Sequence, residues 1–134
     1  MLGEIICNLV GAAFLFPLGL ALGSFLELVS DRVPRGESIV WPPSHCRVCS
    51  RRLSPDELIP IVSYLAQHGR CRNCDSPIGS GVPIREALSG AAVGLPWLIV
   101  GCAAPIPALV ASVFLLVAGW TGWVLIRRGR DSLT

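Results

Sequence analysis

The sequence predicts an α-helical membrane protein with three transmembrane helices and a small irregular cytoplasmic knuckle inserted between the first and second. Three observations lead there. Uncharged apolar runs occupy residues 5–26, 87–104 and 107–126. Only 15% of the 134 residues are charged and the mean hydropathy is +0.63, whereas soluble chains are about a quarter charged. Between the first two runs lies a polar, proline-broken segment with two Cys-x-x-Cys pairs. The length suits a single domain. Its expected parts are a first helix at 1–29, a four-cysteine domain at 30–86, a transmembrane hairpin at 87–126 and a basic tail at 127–134.

The first run holds 22 residues whose only polar members are Asn8 and Ser24, and about 20 suffice to cross a hydrocarbon core. A cleaved signal peptide fits poorly, because no basic residue precedes the run and no small-x-small site leads into a polar exterior. In the insertion, prolines at 34, 42, 43, 55, 60, 77 and 83 forbid a long helix. Ser54 with Glu57 three residues on has the pattern of a capping box, and Pro60 limits that helix to about two turns. The second and third runs have 18 and 20 residues without a charge, joined by "APIP" as a tight hairpin. Gly19/Gly23 and Gly90/Gly94 have the spacing that lets helices approach closely, a spacing that also arises by chance in glycine-rich helices.

All eleven basic residues are arginine. This matches either a GC-rich coding sequence or a use for guanidinium forks. Eight lie in the insertion and three in the tail, so with three spans every one falls on the same side. The positive-inside rule makes that side cytoplasmic and puts the N-terminus outside. A net charge of +2 and few aromatic residues in the insertion give no reason to expect nucleic acid.

Cys46, Cys49, Cys71 and Cys74 form two pairs separated by 21 residues, a spacing suited to four thiolates around structural zinc. The competing reading, redox or disulfide-forming motifs, requires an oxidising compartment. The insertion is thus expected to be a zinc knuckle, with the neighbouring arginines favouring thiolate over thiol. His45 and His68 are taken as surface residues. Cys7 and Cys102 lie near the outer ends of their spans; they either pair there or serve as small buried apolar groups. Glu27 and Glu86 flank spans on the cytoplasmic side, with Arg32 and Arg85 as available partners. A carboxylate there is either functional or an interfacial anchor.

Taken in order, "GSFL" at 23–26, "RVPRGES" at 32–38, "PPSHCRVC" at 42–49, "IPIVSYL" at 59–65, "RCRNC" at 70–74, "PI" at 77–78 and "PIRE" at 83–86 resemble the N-terminal region of the type IV prepilin peptidases, or type IV leader peptidases. The resemblance covers about half the chain. It implies a multi-pass protein of the bacterial inner membrane, related to aspartic peptidases that cut prepilin and pseudopilin leaders on the cytoplasmic face. Many of these also N-methylate the new terminus with S-adenosylmethionine. It further implies that the four cysteines bind zinc or stabilise the cytoplasmic domain.

The same family cuts with two membrane-embedded aspartates, one in a Gly-x-Gly-Asp motif, because one carboxyl must be protonated while the other activates water. These 134 residues contain no Gly-x-Gly-Asp, and Arg127 stands near the place of the other aspartate, so no residue here is assigned as catalytic. Glu27 and Leu58 stand where the family usually has asparagine, and Val82 and Arg85 depart from its Tyr-Pro-x-Val-Glu stretch. The expected role is the N-terminal part of a leader peptidase, acting with a separate or missing aspartyl half. Glu27, Asp31, Asp56, Glu57 and Glu86 are candidates to receive the basic leader, and Arg32 is a further candidate for a substrate-facing or structural role. The alternative is a non-catalytic, zinc-stabilised membrane adaptor. A stand-alone methyltransferase is disfavoured, since no glycine-rich loop follows a strand.

Overall fold

The structure is a computed structural model that describes the backbone of residues 1–131 and the side chains of residues 1–126; the side chains of the expected basic tail at 127–134 lie outside the described residues. Among the described residues four α-helices follow one another: α1 Leu2–Arg32, α2 Val62–Ala66, α3 Gly81–Val100 and α4 Pro105–Asp131. Short 3-10 turns occupy Val33–Arg35 and Pro55–Leu58. The chain divides into two compact units, Met1–Gly19 with the described part of Ser89–Thr134, and Leu20–Leu88.

In the first unit the solvent logic of a soluble protein is inverted. Val93 and Ala108 are its buried apolar residues, while Phe14, Ile99, Ile106 and Phe114 point outward. Stretches at Leu2–Arg35 and Pro105–Ile126 are long and apolar enough to cross a membrane, and only 6% of the apolar window of each is buried inside the protein. The core helix of a soluble protein would be mostly buried. The expected second span differs from the sequence reading: its uncharged run at 87–104 is helical only to Val100, residues 101–104 form a turn, and α4 begins at Pro105 rather than after an "APIP" link. α3 reaches its length by starting at Gly81, which takes in Arg85 and Glu86.

Small residues bring the helices of this unit together. A Cβ on Gly19 would lie 2.6 Å from the Ser89 carbonyl oxygen and 2.8 Å from the Gly90 Cα, and one on Gly11 would lie 1.7 Å from the Trp97 indole nitrogen. The Ser112 hydroxyl donates to the Val93 and Ala108 carbonyls, each at 3.0 Å, so this buried hydroxyl is satisfied where hydrocarbon offers no partner. Cys7 and Cys102 form a disulfide with their Cα atoms 6.2 Å apart, so the reading of them as isolated apolar residues is corrected. The pairing is prepared by Asn8, whose side-chain oxygen accepts the Cys102 amide at 2.8 Å and so fixes the turn after α3.

Because backbone atoms surround Gly19, Gly19→Leu is expected to destabilise the protein in detergent by about 1–3 kcal/mol through overpacking. Gly119→Leu, which meets nothing within 4 Å, is expected not to. Thermal denaturation of both variants checks this.

Candidate metal centre

The second unit has little apolar core; Cys71 is its one buried apolar residue among those described. Its order comes from two knuckles of the same construction. In the first, the Cys46 amide donates to the Arg51 carbonyl and the Ser50 amide returns to the Cys46 carbonyl, each at 2.9 Å. In the second, the Cys71 amide donates to the Ser76 carbonyl at 2.9 Å and the Asp75 amide to the Cys71 carbonyl at 3.0 Å. Each is closed by one isolated bridge, His45 with Arg52 and Arg70 with Pro77. The fourth residue after the leading cysteine is left-handed in both, with φ 57° at Ser50 and at Asp75. Neither is glycine, so the turn carries no glycine signal in the sequence.

The knuckles aim all four sulfurs at one point. The sulfurs of Cys46, Cys49, Cys71 and Cys74 lie within 4.8 Å of one another, with Cys46 to Cys74 at 3.8 Å and Cys49 to Cys71 at 4.0 Å. Four sulfurs each about 2.3 Å from one zinc ion would stand about 3.8 Å apart, so the donor set fits a tetrahedral metal such as zinc. With four thiolates such a site has no open coordination position. His45 and His68 are exposed, and His45 Nδ1 instead contacts the Pro43 carbonyl oxygen at 3.0 Å.

The thiolates are favoured by amides more than by arginines. The backbone N–H groups of Cys49 and Val48, with the Ser76 hydroxyl, lower the Cys46 pKa from 9.0 to about 6. The amides of Asn73 and Cys74 lower that of Cys71. Cys74 moves upward: Ser76 favours its thiolate, but burial and the Cys49 and Cys71 sulfurs outweigh that help. Bringing four sulfurs together thus sets thiolates against one another, a repulsion that a bound metal cation would offset.

The acids of this unit are engaged internally. Glu57 is buried, its side chain 1% exposed. It completes the expected capping box, accepting from the Ser54 amide at 3.0 Å and the Ser54 hydroxyl at 2.8 Å, and it also accepts from Arg51 at 2.5 Å. Glu27 accepts two bonds from Arg85, at 2.6 and 2.5 Å. Arg32 takes neither acid; it donates to the Ser38 carbonyl at 2.8 Å. Glu86 accepts the Ile61 amide at 2.8 Å and so holds a β-branched residue at positive φ, with φ 61° and ψ −49°, which is costly without such a partner. Asp31 pairs with Arg35 and Arg47, and Asp56 with Arg72 at 2.6 Å. Each of the five acids considered for leader binding therefore already has a donor within the chain. The Glu27–Arg85 pair was foreseeable from sequence; the Glu86–Ile61 contact was not, since no pattern announces an isoleucine at positive φ.

This geometry coincides with a family match. The model of the bacterial peptidase A24 N-terminal domain matches residues 18–100, more than half of the chain. The chain belongs to this family. Among curated relatives, it is 49% identical over 79 residues to the prepilin leader peptidase/N-methyltransferase of Myxococcus xanthus, covering 59% of this chain and 24% of that protein. It is 43% identical over 77 residues to the Bacillus subtilis enzyme of the same name, covering 58% and 31%. It is 34% identical over 92 residues to the Pseudomonas aeruginosa enzyme, covering 52% and 32%. The chain thus spans about a quarter to a third of the length of these relatives. No solved structure is a significant match.

Glu57 provides a pH test. The Ser54 amide, the Ser54 hydroxyl and Arg51 hold its pKa below 4.5 in the folded protein, against the opposing effect of burial. A depressed carboxyl contributes stability above its unfolded pKa and loses it as pH falls through the folded value. Glu57→Gln should therefore cost about 2 kcal/mol near neutral pH. The difference from wild type should shrink progressively below pH 4.5. Urea titrations at matched pH values check this.

Proposed function

We propose that this chain forms the N-terminal, four-cysteine part of a type IV leader peptidase. In this reading it builds the cytoplasmic face on which prepilin or pseudopilin leaders are handled, and it works with an aspartyl catalytic part that carries the Gly-x-Gly-Asp chemistry. The coincidence of the family match at 18–100 with the converging sulfurs of Cys46, Cys49, Cys71 and Cys74 carries this reading. The metal is zinc, held by these four thiolates in a structural role. The N-methyltransferase activity in the relatives' names, with S-adenosylmethionine as the methyl donor, belongs to the same proposal.

The chain is read as an inner-membrane protein with three spans, the N-terminus outside, the four-cysteine domain at 30–86 in the cytoplasm and a hairpin at 87–126. Two independent features support this orientation. The arginines of the insertion and tail share one side in a three-span chain. The Cys7–Cys102 disulfide needs an oxidising compartment at the start of α1, while four free thiols need a reducing one after its end. A second reading, a non-catalytic membrane adaptor, is favoured by the internal pairing of Glu27, Asp31, Asp56, Glu57 and Glu86. Expression of the chain with a Gly-x-Gly-Asp partner and a prepilin separates the two. The leader-peptidase reading expects co-purification and leader removal that depends on this chain. Cleavage unaffected by its deletion leaves the adaptor.

The purified protein is expected to contain about one zinc per chain, and Cys46→Ser or Cys71→Ser to lose most of it. Elemental analysis decides, and a folded, metal-free wild type would overturn the assignment.

A further inference from the structure

The polar unit exposes apolar residues in a place that the cysteine site does not explain. Val40 is 81% exposed and Trp41 72%, with Ile39 beside them also exposed. A small soluble domain has no reason to present an indole ring to water. The surrounding backbone is held by a series of hydrogen bonds. Gly36, at φ 67°, turns the chain after α1, with the Gly36 amide on the Val33 carbonyl at 3.0 Å and the Glu37 amide on the Arg32 carbonyl at 3.1 Å. The buried Arg32 side chain then reaches forward to the Ser38 carbonyl. The Ser38 hydroxyl accepts the amides of Val40 and Trp41, each at 3.2 Å. The 39–41 loop is therefore a shaped turn tied to the last turn of the long apolar helix α1.

We propose that the 39–41 loop is a membrane-interface anchor, with Trp41 and Val40 dipping into the headgroup and upper acyl region of the bilayer that α1 crosses. Tryptophan is enriched at that depth because its ring is apolar and its N–H stays near water. Continuity with the span names the occupant, since the tether through Arg32 and Ser38 keeps the loop beside the end of α1. Charge agrees: Arg52 lies exposed at the close of the first knuckle, and Arg47, though paired with Asp31, is also exposed there; arginines near a bilayer surface are attracted to an anionic leaflet. The anchor would hold the cysteine unit against the surface at a second point besides its helical connections. The proposal rests on the reading of α1 as a membrane span.

The test uses the full chain in vesicles of phosphatidylethanolamine and phosphatidylglycerol. The emission of Trp41 is taken as the difference between wild type and Trp41→Phe, with circular dichroism to show that both are folded. Lipids brominated near the headgroup end of their acyl chains are expected to remove more than half of that difference emission. Retained emission overturns the anchor in either of two ways: quenching by aqueous acrylamide would place the ring in water, and protection from both quenchers would place protein over it. Alkaline carbonate separates the two readings. A chain that is extracted refutes the span and the anchor together, whereas one that stays integrated with an unquenched Trp41 refutes the anchor alone.

Discussion

Four sulfurs within 4.8 Å of one another are the constraint on which the polar half of this protein depends. The unit from Leu20 to Leu88 buries almost no apolar side chain among the described residues, so hydrophobic collapse cannot hold its loops. Small domains in that position need a staple. The two knuckles supply one, because each turns its cysteines inward through its own amide pattern and the pair then meets across 21 intervening residues. The same amides that shape the turns lower the thiol pKa values of Cys46 and Cys71. Fold and the thiolate character of Cys46 and Cys71 are therefore products of one backbone arrangement.

Around that centre, charged groups act as structural connectors. Glu57 joins the first knuckle to the Pro55–Leu58 turn through Arg51 and Ser54. Glu27 and Arg85 join the end of α1 to the start of α3, and Glu86 pins the loop before α2. Burying carboxylates in this way is tolerable only because each has donors in place. Acids that would look available for a basic ligand on composition alone are committed to the fold.

The apolar unit follows a different solvent rule. Its large side chains face outward, and its interior contacts are made by Gly11, Gly19, Gly94 and Ser112. Lipid gives no hydrophobic reward for helix association, so close backbone approach and satisfied hydroxyls take that role. The Cys7–Cys102 bond adds a covalent tie between α1 and the turn after α3.

Several features were legible in the sequence because they depend on local spacing. The apolar runs predicted the long helices, the Cys-x-x-Cys pairs predicted the convergent sulfurs, and Ser54 with Glu57 predicted the capping box. Contacts between residues far apart in the chain were legible at most as open possibilities, as for Glu27 with Arg85 and Cys7 with Cys102. The Cys7–Cys102 disulfide, the Asn8 cap on Cys102 and the grip of Glu86 on Ile61 depend on where helices bring distant residues, which no periodicity encodes. The left-handed turns at Ser50 and Asp75 stayed hidden because neither position is glycine. The extent of α3 was also misread, since lack of charge marks where a chain can enter lipid while hydrogen bonding decides where a helix starts and stops. The sequence by itself determined which segments avoid water and which side chains can hold a metal. Only the tertiary structure decided that the candidate acids are already engaged, because availability depends on donors that approach in three dimensions.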